Sequence, residues 1–357
     1  MSQFLTPIEI KNLYLRNRVA MLPMCLFCAG EDGIITDRHL IHYGARAMGQ
    51  VGLIIQEATA VEKRGRLSPR DLGMWTDEQV EGQKKLVELI HSLGGKIAIQ
   101  LGHGGRKSRP GPEEIIAPSA VPFSRDFPTP REMTSQDLER VLRAFQEAAR
   151  RACLADYDAI EIHGAHGYLL HQFLSPHSNH RQDNYGGVLE NRMRFPLEVI
   201  QAVKEAMPAE KLLMIRLSAV EYVEGGYSLA EIIETSRALI RAGVDILDIS
   251  TGGGGTTSPR TYPGYQVPYA QKIREQLNIP VIACGLLTRP EMAEEWVASS
   301  RTDLVGLGRV LLRDPHWVLK AAVKMGVSGI IPEIYQRAFP AEKENIDKSK
   351  EDGENGV

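Results

Sequence analysis

Two hydrophobic patterns alternate along the chain. Apolar runs of strand length recur between longer segments in which apolar residues are spaced as on one face of a helix. Near-continuous apolar runs are typical of strands that are buried on both faces of a parallel sheet. The pattern predicts eight such strands, at 18–24, 51–57, 96–101, 157–162, 212–217, 246–250, 281–284 and 304–307.

The segments between and after these strands have helical periodicity. Ser135 and Ser228 are candidate N-caps, and Pro290 and Pro315 stand at first-turn positions, where proline is favoured. The predicted helices are 38–48, 77–93, 135–155, 190–207, 229–242, 267–277, 290–299 and 315–325.

Eight strand–helix units in one chain predict an α/β fold, the (β/α)8 TIM barrel. An open, doubly wound sheet is the alternative, but no G-x-G-x-x-G follows the first strand. We expect a small N-terminal hairpin at 8–15. A segment rich in proline and charge, 104–134, follows the third strand and is expected to cap the barrel mouth.

Length and composition limit the possible classes of protein, and they fit two ordinary domains as well as one large barrel. The chain has 357 residues, a net charge of −3 and scattered Lys and Arg, which argues against a nucleic-acid partner. No apolar run approaches the ~20 residues of a membrane span, and the N-terminus lacks a signal-peptide core, so we expect a cytoplasmic protein without a membrane partner. We expect a single domain at 1–340 and a disordered tail at 341–357, which lacks apolar periodicity.

The four cysteines are too few and too scattered for a disulfide framework. Cys25 and Cys28 form a Cys-x-x-Cys motif. Such a motif could be one half of a metal site or a redox-active pair. No second Cys pair or Cys/His cluster completes such a site, so we expect no metal.

Candidate chemistry lies at the carboxyl ends of the predicted strands, where barrels carry their active sites. His163, His166 and Tyr168 directly follow the fourth strand. Three side chains that handle protons within six residues indicate a catalytic site. The alternative is that these side chains only form hydrogen bonds with polar groups of the loop backbone.

The ends of other strands suggest a bound anion and a flat ring. Gly285 and Gly308 follow strands seven and eight, where barrels commonly hold a phosphate, and Arg309 adds a cationic donor. Gln100 and Arg216 would suit an isoalloxazine, so flavin mononucleotide (FMN) is the natural candidate. Ordinary turn glycines, and a structural Arg216 paired with Glu161 or Glu57, are the alternatives.

Motifs along nearly the whole chain carry a family resemblance. They are PMC at 23–25, GLIIQEATAV at 52–61, DLGMW at 71–75, IQLGHGGRK at 99–107, HGAHGYL at 163–169, LSPHSNHRQDNYGG at 174–187, ENRMRF at 190–195, YPGYQV at 262–267 and GLGRVLLRDP at 306–315. In order and spacing the chain resembles the Old Yellow Enzyme family of FMN-dependent ene reductases, in its thermophilic-like bacterial class.

The resemblance implies a ping-pong reaction in which NADPH, or NADH, gives hydride to FMN and an activated alkene then takes it. His163 and His166 are implied to bind the carbonyl oxygen of an α,β-unsaturated compound, and Tyr168 to protonate its Cα. The residues implied to hold FMN are Pro23, Met24, Cys25, Ala58, Gln100, Arg216, Gly285, Gly308 and Arg309.

Further positions follow from the same resemblance. Cys25 is implied to lie beside the flavin and to tune its potential and substrate fit. Lys107 resembles a residue near the site mouth, and Arg337 one that reaches into a neighbouring subunit, which implies a homodimer or homotetramer. Phe27 is a departure, because the class usually has tyrosine there; we expect it to contact substrate without donating a hydrogen bond.

Two other functions remain open at this stage. A metal-dependent barrel hydrolase would use Glu161, His163 and His166, although further ligands are missing on other strand ends. A flavin-binding sensor without enzymatic activity is the second, and the intact Tyr168 argues against it.

Overall fold

The computed structural model describes residues 2–109, 111 and 113–338, which form a (β/α)8 barrel preceded by a hairpin. The predicted tail at 341–357, and with it the predicted domain end at 340, lies outside these residues. The barrel is closed and parallel, in the order β3-β4-β5-β8-β9-β10-β11-β12, which confirms the predicted fold. The strands are β1 (Ile8–Ile10), β2 (Leu13–Leu15), β3 (Val19–Met21), β4 (Leu53–Ala60), β5 (Ile97–Gly102), β6 (Ile116–Ala117), β7 (Arg131–Glu132), β8 (Ala159–Gly164), β9 (Leu212–Ser218), β10 (Ile246–Ser250), β11 (Val281–Ala283) and β12 (Leu304–Leu307).

Helices connect the barrel strands and cover their outer face. Two short helices, α4 (Leu169–Leu174) and α9 (Arg309–Arg313), were not predicted from the sequence pattern. The helices are α1 (Asp37–Met48), α2 (Val80–Ser92), α3 (Ser135–Leu154), α4 (Leu169–Leu174), α5 (Leu189–Glu205), α6 (Leu229–Arg241), α7 (Val267–Leu277), α8 (Pro290–Ala298), α9 (Arg309–Arg313) and α10 (Trp317–Lys324).

The apolar core has two layers. Outward-facing strand residues such as Ile54 pack against the helices, and inward-facing ones such as Leu53 and Ile55 fill the barrel. Leu13 and Leu15 of the hairpin belong to the inner layer. The hairpin therefore closes the amino-terminal end of the barrel, and the opposite end remains for the site.

The start of α3 corrects one predicted cap. Thr134, not Ser135, is the N-cap: its Oγ1 accepts a hydrogen bond from the Asp137 amide at 3.2 Å, and Asp137 Oδ2 accepts one from the Thr134 amide at 2.9 Å. This reciprocal pair is a capping box. Ser228 caps α6 as predicted. Within the described ranges, no helix combines the length and apolarity that crossing a bilayer requires.

Candidate active site

Two adjoining cavities lie at the carboxyl ends of the barrel strands. The first, of about 350 Å³, lies against strands β10 to β12, and the second, of about 430 Å³, against β3 to β9. Pro23, His166 and Arg216 line both. One continuous site therefore spans the barrel mouth, with Arg216 where the two cavities meet.

The structure brings the predicted site residues together around these cavities, with one exception. Arg337 is exposed on a 3₁₀ turn, Glu333–Ala338, and is not among the described residues that line either cavity. The first cavity is lined by Pro23, Met24, His166, Arg216, Gly285, Gly308 and Arg309, and the second by Pro23, Cys25, Phe27, Ala58, Gln100, Lys107, His163, His166, Tyr168 and Arg216.

The first cavity has the chemistry of an anion site. Arg216, Arg309 and Arg313 line it, and no carboxylate is among its described lining residues. Gly308 opens onto it: a Cβ placed there would have a single neighbour within 4 Å, the Met24 sulfur at 3.6 Å. Backbone and guanidinium groups can therefore approach an anion closely.

A tight turn after β8 gathers the three proton-handling side chains. His166 and Gly167 both have left-handed backbone conformations, with φ of 59° and 73°. The His163 ring lies edge-on to the rings of His166 and Tyr168, with centroids 5.3 and 4.7 Å away. At Gly167 a Cβ would lie 2.0 Å from the Gly253 carbonyl oxygen, so this turn requires glycine.

Both histidines are neutral. Burial, followed by the positive charge of Arg216, holds the pKa of His163 and of His166 well below the ordinary value. The Ala165 amide donates to His163 Nδ1 at 3.3 Å, so the His163 proton resides on Nε2. His166 Nε2 shares a hydrogen bond of 2.8 Å with Ser250 Oγ.

Tyr168 is a neutral phenol with a cation above its ring. Burial, with smaller contributions from Cys25 and Asp71, raises the pKa of Tyr168. Lys107 Nζ lies 4.8 Å from the ring centroid and donates to the His166 carbonyl at 2.8 Å. Burial, followed by the Arg106 charge, lowers the pKa of Lys107 to about 8.

The loop after β3 carries Cys25 and Phe27 into the second cavity. Burial, followed by the charges of Asp71 and Glu57, raises the pKa of Cys25, which keeps it a thiol rather than a nucleophilic thiolate. Phe27 has φ of 50° and is 44% exposed. Cys28 faces elsewhere, with its sulfur 3.3 Å from His39 Nε2, so the two cysteines do not share one environment.

Arg216 pairs with a carboxylate, as the structural alternative had it, but the partner is neither of the two examples considered. Its guanidinium pairs with Asp248, Nε to Oδ2 at 3.1 Å, and not with Glu161 or Glu57. Glu57 instead accepts hydrogen bonds from the Leu26 amide at 2.7 Å and from the Tyr43 hydroxyl at 3.2 Å. Glu161 accepts one from Gln100 Nε2 at 2.8 Å.

Several lining residues were missed by the sequence analysis. Leu67, Arg109 and Phe127 come from long connections, and of these Arg109 and Phe127 belong to the predicted capping segment. Tyr265 and Gln266 precede α7 and reach the first cavity. Asp248, which pairs with Arg216 but is not among the described lining residues of either cavity, was also missed; it gave a usable signal, because it is a carboxylate in the mostly apolar strand ILDIS. The others stand in loops without periodicity.

Comparison with known proteins gives consistent results. A family model described as the NADH:flavin oxidoreductase / NADH oxidase family matches residues 3–326. An NADPH dehydrogenase from Geobacillus sp. (strain WCH70) is 48% identical over 335 residues, which are 94% of this chain and 98% of that protein. The Old Yellow Enzyme homologue from Zymomonas mobilis superposes with a TM-score of 0.78 and 27% identity, over 92% of this chain and 94% of that one. A 2-naphthoyl-CoA reductase complex has a TM-score of 0.86 and 26% identity; the match covers 91% of this chain and about half, 52%, of that longer one.

Proposed function

Since the chain belongs to the NADH:flavin oxidoreductase / NADH oxidase family, which includes the Old Yellow Enzymes, we propose that it reduces the C=C bond of α,β-unsaturated carbonyl compounds. It is an FMN-dependent oxidoreductase that oxidises NADPH or NADH. The proposal concerns the acceptor. One observation carries it: two neutral imidazoles and a neutral phenol converge on one wall of the second cavity.

The two cavities fit FMN. The first, with its guanidinium groups and the open face of Gly308, would hold the phosphate, through Gly285, Gly308 and Arg309. Where the cavities meet, Arg216 and Gln100 would bind the polar edge of the ring, and Pro23, Met24, Cys25 and Ala58 would border it. FMN, when bound, supplies the hydride that it has received from the nicotinamide.

The histidines are suited to hold the carbonyl oxygen of an acceptor. Because His163 Nδ1 is occupied by the Ala165 amide, its Nε2–H remains as a donor on the cavity side. Hydride arrival at Cβ moves negative charge onto the carbonyl oxygen, where a preorganised donor is worth roughly 3 kcal/mol. A neutral imidazole can donate this hydrogen bond from its one N–H group.

Tyr168 is suited to complete the reduction by protonating Cα. Its raised pKa keeps the phenol protonated across the physiological range. An enolate is basic enough to take that proton, and Lys107 above the ring stabilises the phenolate that remains. Cys25 stays a thiol on the wall of the second cavity, where it would adjust the fit of ring and substrate.

We also propose that the chain is a cytoplasmic homo-oligomer in which Arg337 reaches a neighbouring site. Support comes from the exposed segment around it: Ile334 is 73% exposed, and an apolar groove lined by Leu319, Val323 and Tyr335 runs beside it. Large exposed apolar groups of this kind mark association surfaces.

The acceptor proposal is tested by separating the two half-reactions without oxygen. We expect NADPH to bleach the yellow holoprotein, and cyclohexenone, added after the NADPH is spent, to restore the colour with formation of cyclohexanone. A panel of maleimides and nitroalkenes extends the test. Flavin that is bleached by NADPH but stays bleached with every activated alkene would refute the proposed acceptor and leave the NADPH oxidation intact.

A further inference from the structure

Four polar side chains form a buried layer across the barrel interior. They point inward from neighbouring strands: Gln100 from β5, Glu161 from β8, Arg216 from β9 and Asp248 from β10. In the parallel register Gln100 lies opposite Glu161, and Arg216 lies opposite Asp248. Each is at most 6% exposed. We call this set the buried charge layer.

One hydrogen bond and one ion pair connect the buried charge layer in two pairs. Gln100 Nε2 donates to Glu161 Oε1 at 2.8 Å, and Arg216 Nε lies 3.1 Å from Asp248 Oδ2. Glu161 Oε2 and the Asp248 carboxylate oxygens have no donor among the residues that the structure describes when both acids are ionised. A proton on Glu161 Oε2, directed at Asp248, gives Glu161 Oε2 and one Asp248 oxygen a partner.

The charge balance of the layer requires this proton. Two carboxylates facing one guanidinium in an apolar barrel would leave an uncompensated buried negative charge, which is costly. Burial, followed by repulsion from Asp248, raises the pKa of Glu161 well above its ordinary value. Burial raises the pKa of Asp248 as well, but there Arg216 is the next influence and opposes the rise. Glu161 is thus the neutral acid and Asp248 the carboxylate.

The layer reaches the cavities through Gln100 and Arg216, and of these two Arg216 carries a charge. Arg216 lines both cavities, whereas Glu161 and Asp248 are not among the described residues that line either one. The ion pair with Asp248 orients the guanidinium and cancels part of its field at the cavity. Asp248, which lies outside the two cavities, therefore influences how much positive charge Arg216 presents to a bound ring.

We propose that Asp248 is a positioning residue that sets the midpoint potential of the bound flavin by partly neutralising Arg216, while Glu161 is kept uncharged. Reduction adds negative charge to the ring, so a cation beside it raises the potential, and a carboxylate that offsets the cation lowers it. This inference rests on FMN binding and is independent of which alkene is reduced.

Two isosteric variants separate the roles of the acids. Asp248→Asn removes the negative charge that is paired with Arg216 Nε, so we expect a higher midpoint potential. A tenfold change in the equilibrium between reduced and oxidised flavin corresponds to about 30 mV for a two-electron couple, and we expect at least that shift. Glu161→Gln replaces one neutral group by another, so we expect an unchanged potential.

The measurement is an anaerobic redox titration of each FMN-loaded protein against a reference dye at pH 7, with no alkene present. Flavin affinity and the melting temperature of each variant are measured in parallel. A shift in Glu161→Gln equal to that in Asp248→Asn overturns the assignment, as does an unshifted potential in loaded Asp248→Asn. Should Asp248→Asn fail to fold or to retain FMN, Glu161→Gln alone decides, because a raised potential there contradicts a neutral Glu161.

Discussion

Lys107 Nζ lies 4.8 Å from the centre of the Tyr168 ring, close enough for its charge to act on the phenol. We expect Lys107→Met to slow reoxidation of the flavin by cyclohexenone about tenfold, since a partly desolvated cation–π contact is worth ~1–2 kcal/mol. Stopped-flow measurement of the two half-reactions checks this. Flavin reduction by NADPH should be nearly unchanged, and Lys85→Met, at an exposed helix position, serves as the control.

The pH dependence of the same step follows from the lysine. With its pKa lowered to about 8, Lys107 carries its charge below that pH and loses it above. We expect the alkene step of the unmodified protein to decline as pH rises through about 8, and the Lys107→Met profile to lack that decline. Identical profiles would contradict a role for the ammonium group.

Tyr168→Phe keeps the ring and removes the proton. General acid catalysis contributes roughly 10²–10⁴-fold, and we expect a loss of that size in enone reduction. Flavin reduction by NADPH requires no proton from Tyr168 and should remain. Tyr14→Phe, at a residue that is 56% exposed, is the matched control. Full enone turnover in Tyr168→Phe would reject Tyr168 as the proton donor.

Phe27→Tyr returns a hydroxyl to the second cavity without altering the side chain's shape or its left-handed backbone. A neutral hydrogen bond contributes ~0.5–1.5 kcal/mol, so we expect relative kcat/KM values among enones, maleimides and nitroalkenes to change by a few-fold to tenfold. Phe127→Tyr places a hydroxyl elsewhere on the same cavity and tests whether the position matters. Equal relative rates in all three proteins would mean that the residue at position 27 does not influence substrate preference.

Gly167→Ala tests the turn that gathers the catalytic side chains. The left-handed backbone costs alanine roughly 1–2 kcal/mol, and the clash with the Gly253 carbonyl adds a typical overpacking cost of about 1–3 kcal/mol. Gly94→Ala has a matching φ of 69° but open space around its Cβ, so it should show the backbone cost alone. Chemical denaturation measures the free energy of unfolding of both variants. Equal losses of stability would show that the structure avoids the clash with the Gly253 carbonyl without an energetic cost.

Truncation before Ile334 removes the segment proposed to reach a neighbouring subunit. We expect a smaller particle by light scattering and a lower alkene turnover. Arg337→Ala should lower turnover while preserving size, and Arg143→Ala, on an exposed helix face, should change neither. A truncated protein with the size and turnover of the full chain would contradict the proposed oligomer contact.

The strands that surround the site could be predicted closely because each is a short apolar run between polar segments. Ile246–Ser250 and Leu304–Leu307 begin and end as predicted. The first strand is shorter than its apolar run, because the chain turns off the barrel at Leu22 to carry Cys25 and Phe27 into the cavity. Helix α4 was missed because all six of its residues are buried, which leaves no polar face to give a period.

Pairings between strands could not be predicted from the sequence. Arg216 meets Asp248 because the parallel register places them opposite one another and both point inward. Glu57 would alternate inward after Leu53 and Ile55, but a register shift between Gln56 and Thr59 turns it toward Tyr43 of α1. Register and bulges depend on tertiary packing, which local sequence does not encode.

The hairpin at the base of the barrel has a kinetic consequence. With Leu13 and Leu15 packed into the opposite end, the nicotinamide donor and the proposed alkene acceptor would both bind at the cavities of the carboxyl end. Two reactants that bind at the same site must bind alternately, and an excess of either one inhibits binding of the other. For the proposed alkene acceptor, this shared site predicts alternate binding of donor and acceptor, and dead-end inhibition by excess alkene.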